Sequence, residues 1–214
     1  KNEAAKEYFA DAAFGMILAL EKLMKDEIER LQTGTVNIEE SKSAGALAQK
    51  EKEEFTDLQR QYLLACDTYI KVVTDEKEKP KVRYGIARLY YEKAHYEEAV
   101  KRFQEIITLY KGTNFASLAG NLILDTYNRL KNFKEIENWS EILLKNKDFS
   151  YNSKEKLIVF VRQSILKQGE DESKKGNYRE AAEHFVRLAS DPRFKDDLEI
   201  APDTLMKAAA AYGF

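Results

Sequence analysis

Three stretches decide how this chain folds: Ala94-His95-Tyr96-Glu97-Glu98-Ala99, Lys131-Asn132-Phe133-Lys134-Glu135-Ile136 and Gly176-Asn177-Tyr178-Arg179-Glu180-Ala181. Each carries a polar turn, an aromatic, charged residues and then a small or apolar residue. Asn132 with Glu135, and Asn177 with Glu180, have capping-box spacing, in which the Asn side chain takes a free backbone N–H and the Glu reaches back. Each stretch therefore reads as a turn that starts a new helix.

The flanks repeat as well. Twelve residues before Ala99, Ile136 and Ala181 stand Ala87, Leu124 and Gly169. Phe103 and Phe185 follow four residues after the first and third of them, and Ile106, Leu143 and Leu188 follow seven after. Tyr90 and Tyr127 stand nine before Ala99 and Ile136. Closely packed antiparallel helices need this pattern, with small residues at the crossing and aromatics filling the gaps beside it.

Composition agrees. Hydrophobic residues make up 43% and charged residues 34% of the 214, with only 9 glycines and 3 prolines, too few turn formers for an all-β chain of this size. The formal net charge is −2 with both signs interspersed, so neither a basic excess nor a basic stripe points to nucleic acid. No apolar run approaches the roughly 18 residues of a membrane span. Cys66 is the only cysteine, so no internal disulfide can form. The chain opens at Lys1 without methionine, which reads as a processed or trimmed product.

Residues 2–32 read as one long amphipathic helix or two abutting ones. The expected stripe is Ala5, Tyr8, Phe9, Ala12, Ala13, Met16, Ile17, Leu20, Met24, Ile28 and Leu31. Asn37 with Glu39 and Glu40 suits a second helix start. A helix is then expected from about Glu40 to Thr74, striped by Leu47, Phe55, Leu58, Tyr62, Cys66, Tyr69 and Val73. Its polar first half, Lys50 to Glu54, reads as a solvated face, with a partner-binding coiled coil as the alternative.

The 80–214 region resembles the tetratricopeptide repeat family. Lys81 to Lys111 is the best copy, with Ile86, Ala87, Tyr90, Tyr96, Ala99 and Phe103 at signature positions. The middle copy departs from the family: Ile136 replaces a small residue, and Ser140 stands where a large aromatic belongs, with Trp139 next door to supply the bulk. The copies span about 80–113, 117–150 and 153–193, with an incomplete one at 202–214 begun by Pro202. Ala209 and Tyr212 there match Ala87 and Tyr90, and the native chain is expected to continue. Residues 1–79 are long helices in which Tyr62, Ala65, Tyr69 and Val72 form a diverged second helix at most.

Tyr96 to Phe133 is 37 residues and Phe133 to Tyr178 is 45, against the family's usual 34 or so. The extra residues make about three helical turns and are placed in a lengthened helix from about Ser153 to Lys175. The alternative for Leu157-Ile158-Val159-Phe160-Val161 is a lone strand, disfavoured because its edges would be unpaired.

The resemblance implies an all-α, right-handed solenoid of helical hairpins. It also implies a protein-binding scaffold with the first helix of each pair lining a concave groove. Carried over position by position, the groove residues are Tyr84, Arg88 and Tyr91 on one copy and Asn121, Asp125 and Asn128 on the next, with Arg129 adjacent. Tyr84 stands where relatives that grip a C-terminal carboxylate place a clamp Lys, so an internal peptide or a folded partner is expected. The elongated repeats look like those of bacterial cell-envelope proteins, which points to an envelope or motility assembly. Self-assembly through exposed apolar edges, giving a homo-oligomer, and a non-catalytic accessory domain of an envelope enzyme are the alternatives.

No catalytic, cofactor or metal set is expected. His95 and His184 lack metal-ligand neighbours in sequence and read as surface residues, and Cys66 reads as a small buried hydrophobe. Glu170, directly after Gly169, comes nearest to an acid catalyst but reads as a solvated or groove-lining residue.

Overall fold

The computed structural model describes residues 2–33, 51–146 and 154–194, together with 206–207 and 209–210. Its described elements are all helical: α1 (Asn2–Thr33), α2 (Asp57–Val72), α3 (Lys79–Glu92), α4 (Tyr96–Leu109), α5 (Asn114–Arg129), α6 (Phe133–Lys145), α7 (Lys154–Lys174) and α8 (Tyr178–Ser190). They form two compact units, Lys1–Tyr110 and Lys111–Phe214.

The same turn recurs between α3 and α4, α5 and α6, and α7 and α8. In each, a residue with positive φ follows the helix: Ala94 at 58°, Lys131 at 52° and Gly176 at 84°. The next residue then donates its N–H to the carbonyl five residues back, His95 to Tyr90, Asn132 to Tyr127 and Asn177 to Glu172, each at 2.9 Å. The positive-φ residues donate three back, to Tyr91, Asn128 and Ser173. These are the paired bonds of a Schellman turn, which satisfy the last helical carbonyls. Ala94 and Lys131 adopt the left-handed backbone without being glycine, at roughly 1 kcal/mol each.

The packing positions read from the sequence are buried. Ala87, Ala99, Phe103, Ile106, Ala181 and Leu188 are fully enclosed, and Leu124, Ile136, Leu143 and Phe185 nearly so. At Gly169 a Cβ would lie 2.5 Å from the Phe185 ring, so α7 and α8 can approach only because this residue has no side chain. α6 buries Trp139 beside Ser140, so the aromatic bulk comes from the neighbouring position.

In the first unit, α2 packs against both α1 and α3. Ile17, Tyr62, Cys66, Tyr69, Val82 and Ile86 form its core. Tyr62 donates to Glu21 at 2.9 Å, and a Cβ at Gly85 would come within 2.2 Å of the same hydroxyl. Burial pushes the Cys66 thiol up to about 12. In the second unit Glu137 ties helices together, accepting from Gln168 at 2.6 Å and Arg187 at 2.9 Å. Arg193 pairs with both Glu141 and Asp191.

Four expectations change. α1 is a single continuous helix, but its buried face is rotated from the expected stripe. Phe14 and Ala10 pack inward with Ile17, Leu20 and Met24, while Tyr8, Phe9 and Met16 are exposed. The second helix begins at Asp57, because Thr56 and Gln59 exchange side-chain and backbone hydrogen bonds in a capping box. Residues 51–56 before it are not helical. They dock on the α3–α4 turn: Glu53 N–H donates to the Lys93 carbonyl at 3.0 Å, and the Lys93 ammonium meets the Glu53 carboxylate at 2.7 Å. Phe55 stacks on His95 and meets Tyr90 edge-on, while the His95 Nε2 bonds the Glu53 carbonyl. His95 is thus half-buried under its own chain rather than a surface residue.

Finally, Asn132 caps α6 by accepting from Glu135 N–H at 3.2 Å, whereas Asn177 makes no cap bond. Its amide instead donates to Glu172 at 2.6 Å. The lengthened helix is α7, of 21 residues, and Leu157–Val161 lie within it as helix. The expected helix start at Asn37, Leu47, and Pro202 and Tyr212 of the fourth copy lie outside the described residues. Residues 206–207 and 209–210 are helical, and Lys207 approaches Glu170 to 3.8 Å.

Candidate functional site

α6 packs against both α5 and α7. α5 and α7 therefore stand as walls with α6 as the floor, and the space between them is a groove of about 600 Å³. Cavities of this size hold several side chains or a short extended segment.

Helical periodicity places the walls. On α5, Asn121, Asp125 and Asn128 recur at i, i+4 and i+7, and all three line the groove. On α7, Phe160, Gln163 and Lys167 line the facing wall at i, i+3 and i+7. Leu124 and Ile136 supply apolar surface below.

The charges on the walls are already compensated. Asp125 meets Arg129 at 2.7 Å, and Lys167 meets Glu170 at 2.7 Å. The Glu170 hydrogen bond holds the Lys167 ammonium above its ordinary range. The neutral amides of Asn121 and Gln163 are exposed, as is that of Asn128. The groove thus offers amide donors and acceptors around an apolar floor, and the Asp125 and Lys167 charges on its walls are each paired within the same helix.

The sequence-derived residues divide between the units. Asn121, Asp125 and Asn128 come together on the groove wall. Tyr84, Arg88 and Tyr91 share one face of α3 in the other unit but are engaged by near neighbours. Tyr84 lies 6.0 Å from the Phe103 ring, Arg88 pairs with Glu92 at 2.6 Å, and Tyr91 meets Tyr96 edge-on at 6.0 Å. Burial pushes the Tyr84 hydroxyl above its ordinary range.

Phe160, Gln163 and Lys167 are the groove residues that sequence reading missed. The signal was available: once the extra turns are assigned to α7, the outward positions on that helix follow by the rule applied to α3 and α5. Glu170 is paired with Lys167, so its carboxylate is not isolated in apolar surroundings. Among the described residues no three His, Cys, Asp or Glu side chains come together as a metal set, and no helix is long and apolar enough to cross a membrane. No protein-family model, curated protein or solved structure matches this chain.

Proposed function

We propose that this chain is a protein-binding scaffold, not an enzyme, and that it seats an extended segment of a partner protein in the α5–α6–α7 groove. The observation carrying this is the pairing of neutral amides, Asn121, Asn128 and Gln163, with an apolar floor in a groove of about 600 Å³. An extended main chain has one donor and one acceptor per residue, which side-chain amides match. A large apolar side chain of the partner fills the space over Leu124 and Ile136.

The tetratricopeptide-type hairpin repeat, and a place in a bacterial envelope or motility assembly, belong to the same reading. The recurrent Schellman turns and the buried small-residue crossings support the repeat, and the elongated α7 supports the envelope type.

The test is to pan a displayed peptide library on the purified chain and measure the recovered peptides by fluorescence anisotropy. Asn121→Arg with Gln163→Arg fills the groove from both walls and should weaken binding at least about tenfold. Because the wall charges are paired internally, affinity should change little between low and high salt. Recovered peptides bound equally well by the double variant would sink the reading.

A further inference from the structure

α1 has a second apolar face that the described residues leave open. Ala10, Ala13, Phe14, Ile17, Leu20 and Met24 turn to the core. On another side, Phe9, Met16 and Leu23 are 54%, 52% and 53% exposed, and Ala12 and Ala19, also exposed, lie between them. The spacing is seven for the large residues, with a small residue three after the first and second. This is the seam pattern of a two-helix coiled coil. The five residues carry no charge over a rise of about 21 Å.

The order of sizes selects the occupant and its direction. In a parallel pair the large residues would meet each other and the alanines would meet each other, alternating overpacked and empty layers. In an antiparallel pair each large residue faces a small one: Phe9 opposes Ala19 of the second copy, and Met16 opposes its Ala12. Layers that alternate large with small interdigitate without voids.

Gly15 is the independent sign. A glycine inside an exposed helix costs about 1 kcal/mol relative to alanine. A Cβ placed there meets nothing within 4 Å, so nothing among the described residues requires its absence. It borders the seam midway along, where two antiparallel copies approach most closely. On the same edge Tyr8, 77% exposed, would face Lys22 of an antiparallel second copy, an arrangement that favours cation–π contact.

We infer that α1 is a homodimerisation helix, on which a second copy of this chain docks antiparallel along Phe9, Ala12, Met16, Ala19 and Leu23. The exposed apolar area is on the order of 500 Å² per copy, and about 1,000 Å² for the pair, at the lower bound for a specific interface. The dimer is therefore weak and reversible. This goes beyond the groove reading, and neither depends on the other.

Sedimentation velocity of the 214-residue chain, run from low micromolar to sub-millimolar concentration, tests it. The sedimentation coefficient should rise with concentration. Met16→Glu should abolish the rise with the helical circular dichroism unchanged, since Met16 is half exposed in the monomer. Direction is read by oxidising an equimolar mixture of Phe9→Cys and Ala19→Cys chains, which should give the mixed disulfide in excess over either self-crosslinked species. A constant monomer overturns the proposal. So does association that survives Met16→Glu. Self-crosslinked Ala19→Cys in excess over the mixed species overturns the antiparallel register.

Discussion

α3 and α5 present side chains at matching places in their hairpins, Tyr84, Arg88 and Tyr91 against Asn121, Asp125 and Asn128, and the two sets meet different fates. On α3 the aromatics reach forward onto Phe103 and Tyr96 of the paired helix, and Arg88 closes on Glu92 one turn away. On α5 the two asparagines are too short to reach a neighbour in this way, and only Asp125 finds one, Arg129. What stands opposite α5 is α7, at 21 residues against 14 for α3, and it supplies Phe160, Gln163 and Lys167. Side-chain reach decides whether a helix face is spent on its own hairpin or left facing a groove.

Substitutions can break or sharpen this contrast. The largest effect is expected at the aromatics. Phe103 is fully buried, so Phe103→Ala should cost about 3–5 kcal/mol in urea unfolding. Phe160→Ala, on a half-buried groove wall, should cost much less and act chiefly on peptide affinity. Equal losses would show that Phe160 is core and the groove is closed in solution.

Next come the two close-approach glycines. Gly169→Ala drives a methyl into the Phe185 ring, and Gly85→Ala drives one into the Tyr62 hydroxyl, each costing about 1–3 kcal/mol. They are separable by chemistry. Cys66 is buried, with its thiol pushed up to about 12, so alkylation at neutral pH reports opening of the first unit. Gly85→Ala should accelerate that alkylation by breaking the Tyr62–Glu21 bond, while Gly169→Ala acts in the second unit.

The caps give a smaller contrast. Asn132→Ala should cost about 1 kcal/mol, because it removes the bond to Glu135 N–H. Asn177→Ala loses only an exposed bond to Glu172 and should cost a few tenths on the scale of exposed pairs. Thermal denaturation of both variants measures the difference, and equal shifts would mean that Asn177 caps α8 in solution.

The smallest effect has the opposite sign. Lys131 holds φ at 52°, so Lys131→Gly should stabilise by no more than about 0.5 kcal/mol, a left-handed penalty of roughly 1 kcal/mol less the added entropy of an unfolded glycine. Gly176 already occupies the equivalent place in the third turn. A loss of stability on this substitution would show that the Lys131 side chain holds the turn in some other way.

The hairpins were legible because their determinants are local or strictly periodic. A polar turn followed by an aromatic and a small residue, repeated with buried partners twelve residues earlier, specifies where helices start and which faces meet. The extent of α7 followed from the repeat spacing set against the length usual in the family it resembles. The capping box at Thr56 was equally local and could have been read, and it would have moved the start of α2 to its observed place.

Other features needed tertiary structure. Which apolar face of α1 turns inward cannot be ranked from sequence, because Phe9-Met16-Leu23 and Phe14-Ile17-Met24 are equally periodic. Only the placement of α2 chooses between them. Phe55 and His95 are distant in sequence, and their stacking exists because residues 51–56 return to the α3–α4 turn. The groove is the same kind of object. The family resemblance carried Asn121, Asp125 and Asn128 onto one groove-lining face, but the opposite wall and the floor come from α7 and α6, whose distance from α5 is set by packing volume rather than by any local rule.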